Sequence, residues 1–339
     1  MAAHSLDKRL VGQTGLEVTT LGLGGASLAG NYTPVPADQA RATIAHALDK
    51  GINLFDTAPH YGFGRSEHLF GDVLREQRAG TVLSTKVGRL LRPVHGQPWS
   101  RDEWIDPLPF REVYDYSYDG IMRSFEDSLQ RLGIETIDML YVHDIGTVTH
   151  GEEGNKRHWE HLAGGGYRAL RELRAGGLVK AIGLGVNEWQ VLMDAFALGD
   201  WDVFLLAGRY TLLEQTSLDP FMSTCVKRGA SVVIGGPFNS GILAGGDRFN
   251  YAKAPEAVVT RVKAIAAVCD EFGVPLPAAA LQFPLTHPAV CTVLPGPRSP
   301  AELDGILGWW GIDIPEALWA ALAERDLLAE GTPVPGGTA

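Results

Sequence analysis

The sequence predicts a (β/α)8 barrel, also called a TIM barrel, with an N-terminal β-hairpin and long loops on the substrate side. Three observations lead to this fold class. Short apolar runs typical of strands occur eight times along the 339 residues, and turn signals and helical stretches separate them. Apolar residues in these runs do not alternate with polar ones, as in Val82-Leu83 or residues 203–206, which suits parallel strands that are covered on both faces. Eight such units predict one closed barrel domain over residues 1–339.

The predicted strands are short and are bounded by turn residues. They cover residues 20–24, 53–56, 82–86, 139–143, 180–185, 203–206, 231–234 and 291–294.

The helices between the strands carry clear start and stop signals. One helix is predicted over residues 38–50, before Gly51, and another carries an apolar stripe that ends at Gly133. Asp219-Pro220 predicts an N-cap followed by proline at the first helical position. Ser299-Pro300 repeats this device, and Glu302 completes a capping box.

Two inserts and the two ends of the chain have less regular patterns. Residues 88–116 are rich in proline and aromatic residues and follow a barrel strand, which predicts a substrate-facing loop; a disordered insertion is the alternative. The glycine-rich residues 146–166 predict a solvated loop near the pocket, whose histidines fit no metal motif. Residues 9–18 predict a hairpin over the barrel floor, and residues 331–339 a mobile tail.

Composition limits the range of partners and compartments. The formal net charge is −11 with a pI near 5.4, which argues against nucleic-acid and anionic membrane partners. No export signal or long apolar run is found, and the three cysteines lack disulfide or zinc spacing. We therefore expect a soluble cytoplasmic protein, a monomer or small homo-oligomer, that acts on a small molecule without a metal.

Four polar residues lie at or just beyond the ends of three predicted strands. They are Asp56, Tyr61, Lys86 and His143. The carboxyl ends of parallel barrel strands meet on one face, so these side chains are expected to share one pocket. A lysine ammonium favours ionisation of a nearby tyrosine, an aspartate fixes the lysine, and a histidine orients a substrate oxygen. Each residue alone has a structural explanation, such as packing or capping, but together they predict catalysis.

Several motifs around these residues resemble those of the aldo-keto reductase family. Residues 55–67 read FDTAPHYGFGRSE, and STK at 84–86, YVHD at 141–144 and VLPG at 293–296 follow in the same order as in that family. The resemblance covers roughly residues 9–325. It implies that Tyr61 is the acid/base, that Lys86 and Asp56 tune it, and that His143 orients the substrate.

The resemblance also implies NAD or NADP as the cofactor, bound without a Rossmann fold. Residues 22–25 read GLGG, which lacks the GxGxxG spacing, and no P-loop motif exists. The implied cofactor contacts are Asn187, Phe238, Ser240, Gly241, Gly296, Arg298 and Glu302.

The expected cofactor contacts depart from the family pattern at several positions. Val186, Ala207 and Gly235 stand where relatives have a serine, a glutamine and a ring-stacking aromatic. Glu302 stands where NADP-preferring relatives have an arginine, so NAD is expected because a carboxylate disfavours a 2′-phosphate. Arg298 opposes that choice, and Glu302 has a second explanation as a capping residue.

Residues 208–215 (GRYTLLEQ) and 235–243 (GGPFNSGIL) are similar to a branch with sugar 1-dehydrogenases and a pyridoxal dehydrogenase. The similarity implies oxidation of the anomeric carbon of an aldose, such as L-fucose, D-arabinose or L-galactose, to a lactone. The alternatives are oxidation of pyridoxal to 4-pyridoxolactone and reduction of an aldehyde, because an aromatic surface binds either ring type. The candidate stacking residues are Trp99, Trp104, Phe110, Tyr114, Trp309 and Trp310.

Two other classes of protein agree less well with the sequence. A cofactor-binding, redox-sensing regulatory subunit needs a docking tail or a large apolar surface, and the sequence indicates neither. A metal-dependent barrel hydrolase needs paired histidine ligands at the strand ends, which the sequence also lacks.

Overall fold

The computed structural model describes residues 6–335 and contains a closed barrel of eight parallel strands. Three two-stranded antiparallel sheets accompany the barrel. Numbered along the chain, the strands of the barrel and of these small sheets are β1 (Lys8–Leu10), β2 (Glu17–Thr19), β3 (Leu23–Gly24), β4 (Leu54–Asp56), β5 (Val82–Val87), β6 (Arg89–Pro93), β7 (Phe110–Tyr114), β8 (Ile137–His143), β9 (Val179–Val186), β10 (Val203–Ala207), β11 (Ser231–Gly235), β12 (Arg248–Phe249), β13 (Ala252–Lys253) and β14 (Val290–Leu294).

The α-helices lie mostly between consecutive barrel strands. They are α1 (Ala37–Asp49), α2 (Arg65–Leu74), α3 (Tyr118–Leu132), α4 (Thr147–His161), α5 (Tyr167–Ala175), α6 (Gln190–Leu198), α7 (Ser223–Arg228), α8 (Glu256–Glu271), α9 (Leu276–Gln282), α10 (Pro300–Trp310) and α11 (Glu316–Glu324).

The barrel order is β3-β4-β5-β8-β9-β10-β11-β14, and every neighbouring pair is parallel. The parallel bridge between Leu21 and Val293 closes the ring next to the short first strand. The eight predicted strands are thus confirmed. Gly183 has a steric role in the barrel, because a Cβ there would lie 1.6 Å from the carbonyl oxygen of Val203.

The predicted N-terminal hairpin is also confirmed. β1 and β2 pair antiparallel, and Val11, Leu16 and Val18 join the apolar cluster inside the barrel. The hairpin therefore closes the barrel floor and leaves the carboxyl ends of the strands as the open end. Residues 331–335 follow α11 as turn and irregular chain, and residues 336–339 of the predicted tail lie outside the described part.

The two inserts are more regular than the sequence predicts. In residues 88–116, β6 and β7 form an antiparallel ribbon, so the alternative of a disordered insertion is wrong at both ends of this segment and the predicted loop is partly regular. The segment 146–166 is not a loop but α4 followed by a π-helical turn, with a kink at Gly151. Packing against the barrel outweighs the local signals of proline and glycine.

The predicted end of α3 and start of α10 are confirmed, but the predicted start of a helix at Asp219 is not. Gly133 ends α3 in the left-handed conformation, and Ser299 caps α10 through the backbone N–H of Glu302, as predicted. The predicted N-cap at Asp219 is wrong, because Asp219 lies inside the π-helical turn Leu218–Met222 and α7 begins only at Ser223.

Within residues 6–335 no single helix has the length and apolar character needed to cross a membrane. Only α8 together with the segment Leu276–Thr286 meets both criteria, and these two parts meet at 100°. All three cysteines, Cys225, Cys269 and Cys291, are buried and form no disulfide, and the lack of disulfides agrees with their spacing in the sequence.

Candidate active site

Lys86 and Asp56 form a buried ion pair at the carboxyl ends of β5 and β4. The Nζ atom of Lys86 lies 2.7 Å from Oδ2 of Asp56 and 2.9 Å from the carbonyl oxygen of Thr57. Ser84 donates to the other carboxylate oxygen of Asp56 at 2.7 Å. Burial lowers the pKa of Lys86, but Asp56 and Tyr61 outweigh it and raise this pKa above its ordinary value. The ammonium therefore stays charged and fixed.

Tyr61 lies in a tight turn between β4 and α2. Gly62, Phe63 and Gly64 all have positive φ angles, and a Cβ on Gly62 would lie 2.9 Å from the Cβ of Arg65. The backbone N–H of Ser66 then bonds the carbonyl oxygen of Tyr61 at 3.1 Å. This glycine-rich turn sets the Tyr61 ring above the lysine.

The rest of the first motif is structural. Ser66 and Thr57 share a hydrogen bond of 2.7 Å between their hydroxyls, and the buried Glu67 accepts hydrogen bonds from Thr85 and Arg131. These contacts join α2 to β4, β5 and α3 beneath the Tyr61 turn.

The charge environment of Tyr61 differs from the sequence prediction in one respect. The Lys86 ammonium lies 4.6 Å from the ring centroid, and it lowers the pKa of Tyr61 as predicted. Burial has the larger effect, with further contributions from Asp56 and Asp144, so the pKa of Tyr61 is raised above its ordinary value. The lysine offsets only part of the cost of ionising a buried phenol.

His143, at the end of β8, faces Tyr61. The two ring centroids are 6.0 Å apart at 87°. Burial, Arg89, Lys86 and His60 hold the pKa of His143 well below its ordinary value, so this imidazole is neutral. Its Nδ1 atom is buried without a hydrogen-bond partner among residues 6–335. The structure therefore brings all four predicted side chains to one pocket.

Sequence reasoning missed a set of charged residues beside this pocket. Arg89 bonds both Glu112 and Asp144, and His60 bonds Glu112 at 2.9 Å. Glu112 and Arg89 lie on the two strands of the β6–β7 ribbon, which no local pattern in the sequence predicts. Only the Asp144 side of the set has a sequence signal, since it directly follows His143.

The aromatic residues predicted to contact the substrate fall in different places. Trp104 is buried against the rings of His60 and Tyr61, with centroid distances of 5.1 and 5.8 Å. Tyr114 packs instead on Arg89 and His150. Trp99 packs on Phe63, and both Trp99 and Phe110 pack against the same apolar cluster as Tyr61. Trp309 packs on Phe238, and Trp310 lies at the end of α10.

One set of side chains has the spacing of a metal site. Ligand atoms of His60, Asp102 and Glu112 all lie within 4.8 Å of one another. Nδ1 of His60 and both carboxylate oxygens of Glu112 already have hydrogen-bond partners, since Glu112 bonds His60 through Oε1 and Arg89 through Oε2.

Asn187, at the end of β9, makes two contacts beyond its expected one. Its carbonyl oxygen accepts a hydrogen bond from Arg209 at 2.8 Å, and its Oδ1 accepts one from the hydroxyl of Tyr251 at 3.0 Å. Ser240 accepts from the backbone N–H of the same Tyr251. Tyr251 lies in the β12–β13 hairpin and gives no sequence signal, yet it connects two predicted cofactor residues.

The turn after β11 leaves its backbone open. Gly241 has a φ of +104°, and a Cβ there would meet nothing within 4 Å. Phe238, beside this turn, packs on Trp309 with a centroid distance of 5.9 Å. Gly296 has a different role, because a Cβ there would lie 2.7 Å from the hydroxyl of Ser27 and separate two barrel loops.

Arg298 and Glu302 interact at the start of α10. A carboxylate oxygen of Glu302 accepts the backbone N–H of Arg298 at 2.8 Å and lies 4.0 Å from its guanidinium. The cap thus uses Arg298, one residue before the Ser299 that a standard capping box would use. Nε of Arg298 is buried and has no hydrogen-bond partner among the described residues. An open glycine turn, a polar asparagine and an unpaired arginine nitrogen fit a dinucleotide.

A wide cavity of about 870 Å³ lies at the opposite end of the barrel. The ion pairs of Asp138 with Arg78 and Lys180 line it, at 2.6 and 3.0 Å. Because these residues flank the starts of barrel strands, the cavity belongs to the stabilising end of the fold rather than to the site.

Several known proteins are similar to this chain in sequence or in fold. The chain is 50% identical to pyridoxal 4-dehydrogenase of Microbacterium luteolum, over 97% of this chain and 100% of that protein. It is 38% identical to D-threo-aldose 1-dehydrogenase of a Pseudomonas species, over 93% and 96% of the two chains. An aldo-keto reductase of Bacillus halodurans in its holo form superposes with a TM-score of 0.73 at 22% identity, over 96% and 98% of the chains.

The model of the family described as "Aldo/keto reductase family" matches residues 20–326. That span holds the whole barrel and the four residues of the pocket. The chain therefore belongs to the aldo/keto reductase family, as an oxidoreductase that acts on CH–OH donors with NAD or NADP.

Proposed function

We propose that this chain oxidises pyridoxal, in its cyclic hemiacetal form, to 4-pyridoxolactone. The observation that carries the proposal is the 50% identity to pyridoxal 4-dehydrogenase over the full length of that protein. Identity to the aldose 1-dehydrogenase is lower, at 38%. This reverses the order of substrates in the sequence analysis, and oxidation of an aldose at its anomeric carbon becomes the second candidate.

The aromatic wall of the pocket supports a flat, aromatic substrate. The buried ring of Trp104 lies beside Tyr61, and the half-exposed Tyr251 brings a second ring to the same end of the barrel. Aromatic rings stack or pack edge to face on such surfaces. A pyridine ring held there would present its hemiacetal carbon near the Tyr61 hydroxyl.

The four pocket residues would carry out the proton transfer of the reaction. Oxidation breaks the C–H bond and the O–H bond of the hemiacetal and leaves the lactone carbonyl. The oxygen of Tyr61 takes the proton, Lys86 and Asp56 hold the positive charge that favours the phenolate, and the neutral His143 hydrogen-bonds the substrate oxygen. When bound, the nicotinamide supplies the hydride acceptor. Since the pKa of Tyr61 is raised, oxidation is expected to speed up as pH rises.

The residues that would hold the cofactor lie along the open end of the barrel. Asn187 would bind the amide of the nicotinamide, the Phe238–Gly241 turn would approach the pyrophosphate, and the start of α10 would meet the adenosine half. A helix N-terminus with free N–H groups favours such anionic groups. Gly296 contributes to this site by allowing the loop before α10 to pack closely.

The first test compares substrates by the growth of absorbance at 340 nm. We expect pyridoxal to give a kcat/KM roughly ten-fold or more above that of L-fucose, a discrimination typical of pocket shape. Pyridoxal 5′-phosphate is expected to give no signal, because its esterified hydroxyl cannot close the hemiacetal. Turnover of L-fucose, D-arabinose or L-galactose without turnover of pyridoxal would instead support the aldose candidate.

The second test concerns cofactor choice, for which we propose NAD because Glu302 places a carboxylate at the start of α10. The Glu302→Gln variant keeps an oxygen for the N–H of Arg298 and removes only the charge. We expect its Kd for NADPH to fall roughly three- to ten-fold, about 0.7–1.4 kcal/mol, with little change for NADH. Fluorescence titration of each reduced cofactor measures both constants.

The matched control is Glu316→Gln, which removes the first-turn glutamate of α11. It is expected to leave both dissociation constants unchanged. An unchanged Kd for NADPH in Glu302→Gln would show that Glu302 is a capping residue alone.

A further inference from the structure

A network of hydrogen-bonded side chains, here called the charged network, connects the β6–β7 ribbon to Tyr61 and His143. His60 donates from Nδ1 to Glu112 at 2.9 Å, and Glu112 accepts from Arg89 at 2.8 Å. Arg89 in turn bonds Asp144, whose Oδ2 lies 3.4 Å from Nε2 of His143. All five side chains are at most 14% exposed.

The two ends of the charged network are sequence neighbours of Tyr61 and His143. His60 directly precedes Tyr61, and Asp144 directly follows His143. The ring of His60 also contacts both partners, with centroids 6.2 Å from Tyr61 and 5.8 Å from His143. A displacement of the ribbon would therefore reach both sides of the pocket.

The charges within the charged network sum to zero only when His60 carries a proton. Glu112 and Asp144 contribute two negative charges and Arg89 contributes one positive charge. A neutral His60 leaves one buried negative charge uncompensated, and such a charge is costly in a low-dielectric interior. A protonated His60 brings the sum of these four groups to zero, and Glu103, whose Oε1 lies 3.8 Å from Nε2 of His60, adds a negative charge that also favours the protonated form.

The electrostatics of the pair agree with this balance. Burial and Arg89 lower the pKa of His60, but Glu103 and Glu112 outweigh them, and the result lies above the ordinary value. Burial raises the pKa of Glu112, but His60 and Arg89 outweigh it and lower this pKa. The ion pair thus stabilises the fold fully below the ordinary histidine range near pH 6.5 and is lost as pH rises through the pKa of His60.

We propose that His60 and Glu112 are positioning residues, which act through Arg89 and Asp144 to hold His143 and Tyr61 in place while His60 is protonated. The proposal rests on the proposed roles of Tyr61 and His143. Loss of the His60 proton leaves a negative charge beside Tyr61, which opposes formation of the phenolate. Oxidation is therefore slower, at a given degree of Tyr61 ionisation, once His60 is neutral.

The groups that face His60 come from five parts of the structure. They are Glu112 on β7, Arg89 on β6, Asp102 and Glu103 on the segment between these strands, His143 at the end of β8, and Tyr61 in its own turn.

The experiment follows the pH dependence of kcat and the titration of the His60 imidazole by NMR. Wild-type enzyme is expected to show an inflection in kcat above pH 6.5, at the pH where His60 titrates. In Glu112→Gln the carboxylate partner is gone, so both midpoints are expected to fall by about 1 in pH or more. In His60→Gln, whose amide can still donate to Glu112, the inflection is expected to vanish.

The catalytic constants separate positioning from folding. We expect kcat to fall roughly ten-fold in Glu112→Gln, with the Kd of NADH unchanged, because misplacement affects the chemical step. Glu271→Gln is the matched control, since Glu271 pairs with Arg325 on the surface. It is expected to leave the pH profile unchanged.

Two results would overturn the proposal. One is a pH profile of Glu112→Gln that matches the wild type while only its unfolding midpoint changes. The other is an inflection that persists in His60→Gln; this variant also carries the test if Glu112→Gln fails to fold. Full activity of Tyr61→Phe would instead refute the proposed role of Tyr61, and a lack of turnover of pyridoxal would refute the proposed function. Either result would leave the NMR titration of His60 unaffected.

Discussion

Tyr61→Phe is expected to lower kcat for oxidation by about 10²- to 10⁴-fold, the usual contribution of a positioned acid/base. Phenylalanine keeps the ring contacts with Trp104 and His143 and removes only the hydroxyl. The Kd of NADH and the unfolding midpoint should therefore stay near their wild-type values. Stopped-flow measurement of a single turnover at 340 nm would show that the chemical step, rather than product release, is slowed.

Tyr118→Phe provides the matched control for that variant. The hydroxyl of Tyr118 bonds Glu172 on the surface, away from the pocket. It is expected to keep full activity. A Tyr61→Phe enzyme that retained more than a tenth of the wild-type kcat would show that another group transfers the proton.

Lys86→Met is expected to destabilise the protein as well as to inactivate it. The substitution leaves the carboxylate of Asp56 buried with Ser84 as its remaining side-chain partner. Removing one partner of a buried ion pair costs about 3–5 kcal/mol of unfolding free energy. Urea unfolding, followed by circular dichroism, would measure this as a lower midpoint, and kcat would fall because Tyr61 loses the charge that favours its phenolate.

The double variant Lys86→Met/Asp56→Asn separates the two effects. It removes the unpaired charge, so it should recover much of the lost stability and none of the lost activity. Arg325→Met, which breaks the exposed pair with Glu271, should change the midpoint far less. If the double variant were as unstable as Lys86→Met, the cost would arise from packing around the lysine stem.

The barrel was predictable because its strands contain short apolar runs in which apolar and polar residues do not alternate. Burial on both faces leaves a signal that does not depend on distant residues, and the strand ends then place Asp56, Lys86 and His143 together. Tyr61 was predictable for the same reason, since its turn follows directly from β4. Their roles as catalysts stay predictions until the variants are measured.

The β6–β7 ribbon, α4 and the charged network were not predictable in the same way. β6 and β7 are joined by a proline-rich segment, and their pairing is long-range. The glycines of α4 favour a loop locally, but Tyr116 holds His150 by a hydrogen bond of 2.9 Å. His60 and Glu112 are 52 residues apart, so no spacing rule could connect them.

The β6–β7 ribbon limits how the enzyme can be redesigned. Exchanging residues 88–116 for the corresponding segment of a sugar-oxidising relative is an obvious route to a chimera with new specificity. Arg89 and Glu112 would leave with that segment, although Asp144 and His60 belong to the recipient barrel. A successful graft must therefore carry this arginine and glutamate in the same register. Otherwise the transplanted loop will lack the contacts that hold it to His60 and Asp144.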